Sequence, residues 1–242
     1  MTYGFQGRAD AAKCDANLDQ TASIRHIAGM STLVKICGLK NRAVVEAAVT
    51  AGADMVGFMF FARSPRAVSV SDVLAIHDAA PSHVEKVAVV VDADDALLDS
   101  IVGTGAIDVL QLQGAETPER CAYLKARYGL PIMKALGVAT KDDLTRITDY
   151  TSVVDRFMFD AKPPKGALRP GGNGNAFDWS ILTDAKIDKP WLLAGGLTPE
   201  TVADAIRQSG APCVDVSSGV ESAPGEKDAD LINAFIKNAK AA

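Results

Sequence analysis

From Leu33 onward the chain alternates short β-branched apolar runs with amphipathic stretches, and it does so eight times over about 210 residues. The runs fall at 33–37, 54–60, 86–91, 108–112, 131–135, 154–159, 191–194 and 213–217. Runs that are apolar at successive positions, separated by helix-length segments, specify parallel strands covered by helices on their outer face. Eight such units predict an α/β protein whose sheet closes into a (β/α)8 barrel, a single domain over 31–242. The competing fold, an open doubly wound sheet, would carry a G-x-G-x-x-G turn after its first strand. Cys37-Gly38-Leu39-Lys40 is not one. Segment 41–51 reads as a helix from the spacing of Val44, Val45, Ala48 and Val49. Segment 199–208 reads as another, with Thr198 and Pro199 as its cap and first-turn residues.

Residues 1–30 show no sustained period and are expected to be a disordered extension. Met30 stands directly before Ser31-Thr32 and the first strand, so it is also a candidate initiator. The segment carries three basic and three acidic side chains and no apolar core, unlike a secretory or transit peptide, and a cytoplasmic protein is expected. The longest apolar stretch, Met55 to Ala62, is eight residues, against the roughly 20 that cross a bilayer. A formal net charge of −5 argues against a broad basic field for nucleic acid or acidic lipid, so neither partner is expected. Any anionic ligand must be held locally. Cys14, Cys37, Cys121 and Cys213 lie far apart without C-x-x-C, which speaks against a zinc site or a disulfide framework.

In such a barrel chemistry gathers in the loops after the strands' C-terminal ends. The first of these exits holds Cys37, a base or nucleophile if its pKa falls toward neutral and otherwise an inert buried thiol. The sixth holds Asp160, where an apolar mouth would raise a carboxyl's pKa and favour general-acid work; a loop salt bridge is the alternative. His26, His77 and His83 all lie away from the exits, leaving the thiol and the carboxylates to carry protons. The last two exits are rich in small residues: Gly195-Gly196 after strand seven and Ser217-Ser218-Gly219 after strand eight. Their backbone N–H groups suit a phosphate without any basic patch. Arg66, in the second exit loop, is placed to clamp a carboxylate or a second anion, or else to lie solvated. Lys35 and Lys134 lie on strands one and five, where a Schiff-base amine or a paired structural lysine are the two readings.

Taken together, VKICGLKN (34–41), GADMVGFMFFARSPRAVS (52–69), VLQLQG (109–114), FDAKPPKGALRPGGNGNAFDW (159–179), LLAGGLTPETV (192–202) and DVSSGVESAPGEKD (215–228) resemble the phosphoribosylanthranilate isomerase family of tryptophan biosynthesis. The likeness covers 32–240. It implies Cys37 as general base, Asp160 as general acid and Arg66 on the anthranilate carboxylate. It places the phosphate on the Gly195-Gly196 and Ser217-Ser218-Gly219 loops, joined by Gly171, Gly172 and Gly174 of the sixth loop, with Asp215 near the substrate. Gln113 stands where the family often has histidine.

The implied reaction is an Amadori rearrangement of N-(5-phosphoribosyl)anthranilate. It involves no net redox change, so neither metal nor cofactor is expected. The implied partner is a phosphorylated small molecule, and the implied assembly a monomer or homodimer. The rival readings are another phosphosugar barrel, such as indole-glycerol-phosphate synthase or a Schiff-base aldolase, and a silent barrel that binds a phosphometabolite.

Overall fold

The computed structural model describes residues 31–162 and 176–242. The expectations for segment 1–30 and for Gly171, Gly172 and Gly174 lie outside the described residues.

Eight parallel strands run in chain order round a closed ring: β1 (Leu33–Cys37), β2 (Met55–Met59), β3 (Glu85–Val90), β4 (Val109–Leu112), β5 (Ile132–Val138), β6 (Arg156–Ala161), β7 (Trp191–Leu193) and β8 (Cys213–Val216). Pairing of Lys35 with Asp215 between β1 and β8 closes it. The period of two divides each strand's side chains between two cores. Val34, Ile36, Val56, Phe58, Phe157 and Phe159 face outward into the layer beneath the helices. Cys37, Met55, Val89, Met133, Met158 and Cys213 fill the inside of the ring.

The helices are α1 (Arg42–Ala51), α2 (Val70–Ile76), α3 (Asp95–Val102), α4 (Pro118–Tyr128), α5 (Ile147–Tyr150), α6 (Val202–Ser209) and α7 (Ala229–Lys240). Local chemistry sets their ends: Thr117 caps α4 ahead of Pro118, and the Asn41 side chain accepts from the Val44 N–H at the start of α1. Helix α6 is assigned from Val202, and the turn before it has the expected start geometry: the Thr198 carbonyl accepts the Val202 N–H, Thr201 Oγ1 accepts the Thr198 N–H, and Pro199 follows the cap. One helical expectation is corrected. In the sixth unit, the described residues hold a 3-10 turn, Trp179–Leu182, in place of an α-helix.

An aspartate directly precedes each of β2, β4 and β6, and its carboxylate accepts a backbone N–H from the strand before: Asp54 from Val34, Asp108 from Lys86 and Asp155 from Ile132. These three bonds fix neighbouring strands in register at the foot of the ring, where Glu85 and Arg156 also pair inside it. The foot is thus committed to stability and the opposite mouth is left for chemistry. Among the described residues no helix is long and apolar enough to cross a membrane.

Candidate active site

At the mouth, the inward residues of the strands become polar. Cys37, Gln111, Asp160 and Asp215, with Gln113, Ser64, Arg66 and Ser217 from the exit loops, line one open cleft of about 490 Å³. Cys37 ends β1 with its thiol inside the ring, and Asp160 lies on β6, three strands away around the closed order. Both therefore face the same space from different sides.

The Cys37 thiol has room because β2 offers Gly57 opposite it. A Cβ there would stand 2.9 Å from Sγ and 3.2 Å from Lys35 Nζ. Burial pushes the thiol above its ordinary value; Lys35 and Lys227 pull it down, and Asp215 pushes it up. The fall toward neutral that a free thiolate base would need is thus not what this environment produces, because desolvation outweighs the cations.

Asp160 is pushed in the same direction by the same two causes. Burial, seconded by the charge of Asp215, raises its carboxyl to about 7 against bonds from the Ala161 N–H and Gln113. Gln113 Nε2 donates to Asp160 Oδ2 at 3.0 Å, while Gln113 Oε1 accepts from Gln111 Nε2 at 2.7 Å. The two amides thereby fix each other's orientation and present a donor to the acid.

Lys35 is fully buried and bonded to Asp215 at 2.7 Å. Burial works to lower its pKa, but Asp215 and Cys37 outweigh it and the result is raised. Lys134 points out of the ring, into the layer beneath the helices. It donates to the carbonyls of Leu112 and Gly114 and pairs with Glu116 at 3.0 Å. Both lysines are paired structural cations, and the Schiff-base alternative is set aside.

Gly195, Gly196, Ser218 and Gly219 meet at a seam beside this cleft. A Cβ on Gly219 would fall 1.9 Å from the Leu197 carbonyl oxygen, and one on Gly195 would fall 3.1 Å from Asp160 Oδ1, so the two loops touch and adjoin the acid. Among the described residues, the N–H groups of Gly195 and Gly196 donate to no backbone acceptor. The Ser217 hydroxyl is instead committed to the Cys37 carbonyl at 3.1 Å.

Arg66 is buried at the cleft wall. Its Nε and Nη2 donate to the two oxygens of Glu221 at 2.7 and 2.8 Å. Lys227 Nζ donates to Glu221 Oε1 at 2.7 Å and to the Ser217 carbonyl at 2.8 Å. Glu221, Lys227, Gln111 and Gly57 had no role assigned from sequence. Glu221 and Lys227 sit in the 215–228 motif, where charges flanking Gly225 are visible, but nothing local points them at Arg66.

Residues 34–238 match the family of N-(5'phosphoribosyl)anthranilate (PRA) isomerases. The chain is 56% identical over 212 residues to the N-(5'-phosphoribosyl)anthranilate isomerase of Paracoccus denitrificans, covering 88% of this chain and 99% of that one. It is similar to the crystal structure of phosphoribosyl anthranilate isomerase from Thermotoga maritima, at a TM-score of 0.78 and 35% identity over 87% of this chain and all of that one. A further similar structure, at a TM-score of 0.76 and 34% identity over 87% of this chain and 100% of the other, is of a phosphoribosyl anthranilate isomerase in complex with reduced 1-(o-carboxyphenylamino)-1-deoxyribulose 5-phosphate.

Proposed function

Because the chain belongs to the N-(5'-phosphoribosyl)anthranilate isomerase family, we propose that Asp160 and Cys37 are the general acid and general base of its reaction. The enzyme is an isomerase of tryptophan biosynthesis: it converts N-(5-phosphoribosyl)anthranilate to 1-(2-carboxyphenylamino)-1-deoxyribulose 5-phosphate by an Amadori rearrangement.

Neutral Asp160 protonates the furanose ring oxygen. The C1′–O bond breaks as the anthranilate nitrogen lone pair forms a C1′=N iminium. The Cys37 thiolate then removes the C2′ proton, and the electron pair moves into C1′=C2′ while the nitrogen regains its own. The resulting enolamine exchanges its O–H proton for a C1′–H and becomes the ketone, so no electrons leave the substrate.

The observation that carries this reading is the pairing of a carboxyl raised to about 7 with a thiol across one cleft. An acid near neutral pKa is the form that protonates an ether oxygen at physiological pH. The phosphate binds the Gly195-Gly196 seam, whose N–H groups point to no backbone acceptor among the described residues, with Ser217, Ser218 and Gly219 opposite; Gly171, Gly172 and Gly174, which lie outside the described residues, are proposed as further donors. Arg66 takes the anthranilate carboxylate through the edge that Glu221 leaves open. Asp215 acts through Lys35 and through the charge it places on both catalytic groups. The enzyme works in the cytoplasm as a monomer or homodimer, with a phosphorylated metabolite as its ligand.

The test is an assay with freshly prepared N-(5-phosphoribosyl)anthranilate, followed by the loss of its fluorescence. Cys37→Ser and Asp160→Asn are each expected to lower kcat by about 10²–10⁴ with melting temperatures retained. Near-normal turnover in either would remove that residue from its role. Binding of the product analogue without turnover in the unmodified enzyme would favour the silent barrel.

A further inference from the structure

Arg66 is held at its backbone, along its stem and at one edge of its guanidinium. Its stem lies against Gly38, which has a φ of +80° and where a Cβ would come within 2.7 Å of Arg66 Cδ. Its backbone N–H donates to the Ser64 hydroxyl. Its side-on edge, Nε and Nη2, is consumed by both oxygens of Glu221. Glu221 is half-buried with its side chain turned inward, and the Lys227 ammonium and the Gly225 N–H at 3.1 Å take further places on its oxygens. These partners overcome the opposing effect of burial and hold its carboxyl down at about 2.

The remaining guanidinium donors lie on Nη1 and on the outer side of Nη2, the terminal edge, which matches a second carboxylate bidentately. Within the cluster, two cations and one anion leave one positive charge. A substrate carboxylate on the terminal edge brings the cluster to neutrality and buries no unpaired charge.

We propose that Glu221, which lies outside the cleft wall, is the positioning residue that sets carboxylate specificity: it pins the side-on edge of Arg66 and turns the terminal edge toward the aryl acid of the substrate. This rests on Arg66 being the carboxylate site. Glu221 touches no reacting atom and acts only through Arg66 and Lys227.

The test compares N-(5-phosphoribosyl)anthranilate with the aniline adduct of the same phosphosugar, which lacks the carboxylate, by chromatography of the ketose products. The readout is the ratio of the two kcat/KM values. Arg66→Ala is expected to collapse that preference. Glu221→Gln is expected to reduce it about tenfold, through KM for the carboxylated substrate with kcat largely kept, and to reduce it no further in an Arg66→Ala background. Should Glu221→Gln fail to fold, Glu221→Gln combined with Lys227→Met keeps the cluster's single positive charge while freeing the arginine, and the same loss is expected. Full preference in the Glu221 variants, or an equal drop with and without Arg66, overturns the proposal while leaving Arg66 as the carboxylate site. Undiminished preference in Arg66→Ala overturns that site and the proposal together.

Discussion

Replacing Asp215 by Asn removes the one anion that raises both Asp160 and Cys37. The productive form needs a protonated Asp160 and a Cys37 thiolate, yet Asp160 loses its proton at about 7 and the thiol only above its ordinary value. The productive pair is therefore the minor of two singly protonated arrangements. Its abundance rises as pH rises through about 7, holds level, and falls once the thiol also titrates. Asp215 sits on β8, two steps round the ring from Asp160 on β6. At roughly 4.8 Å per step the separation is about 10 Å. At an effective dielectric of about 20, two charges so placed interact by about 1.7 kcal/mol, or about 1.2 pKa units. In the kcat/KM profile, measured by fluorescence loss across the neutral range, the acid limb is expected to move to lower pH by about one unit, and the basic limb to move in the same direction. An acid limb that stays near 7 or moves up would refute the electrostatic account, whatever happens to the height of the plateau.

Lys134→Met is expected to strand buried Glu116 at a cost of about 3–5 kcal/mol. At about 2–4 °C per kcal/mol for a chain of this size, melting falls by about 6–20 °C, and kcat/KM measured well below that temperature is unchanged; calorimetry and the fluorescence assay check the two halves. Gly57→Ala places a methyl 2.9 Å from Cys37 Sγ, so the thiol must turn, and turnover is expected to fall at least about tenfold with helical content intact by circular dichroism.

What could be read from the sequence, and what could not, divides along the range of the forces involved. Strand facing is local: a period of two places Lys35 with Cys37, and the order of the exits gives Asp160 and Asp215 their places at the mouth. Helix starts are also local: Thr198-Pro199 has the chemistry of one, and Thr201 completes it by accepting the Thr198 N–H three residues back. Electrostatics is not local. The thiol's raised pKa comes from burial inside a closed ring, which no motif records. The contact between Arg66 and Glu221 spans 155 residues and exists only because β8 returns to lie beside β1, bringing its loop against the second exit. Substrate charge is therefore matched by ring closure: the arginine is visible in the sequence, and the carboxylate that aims it becomes so only when the first and last strands pair.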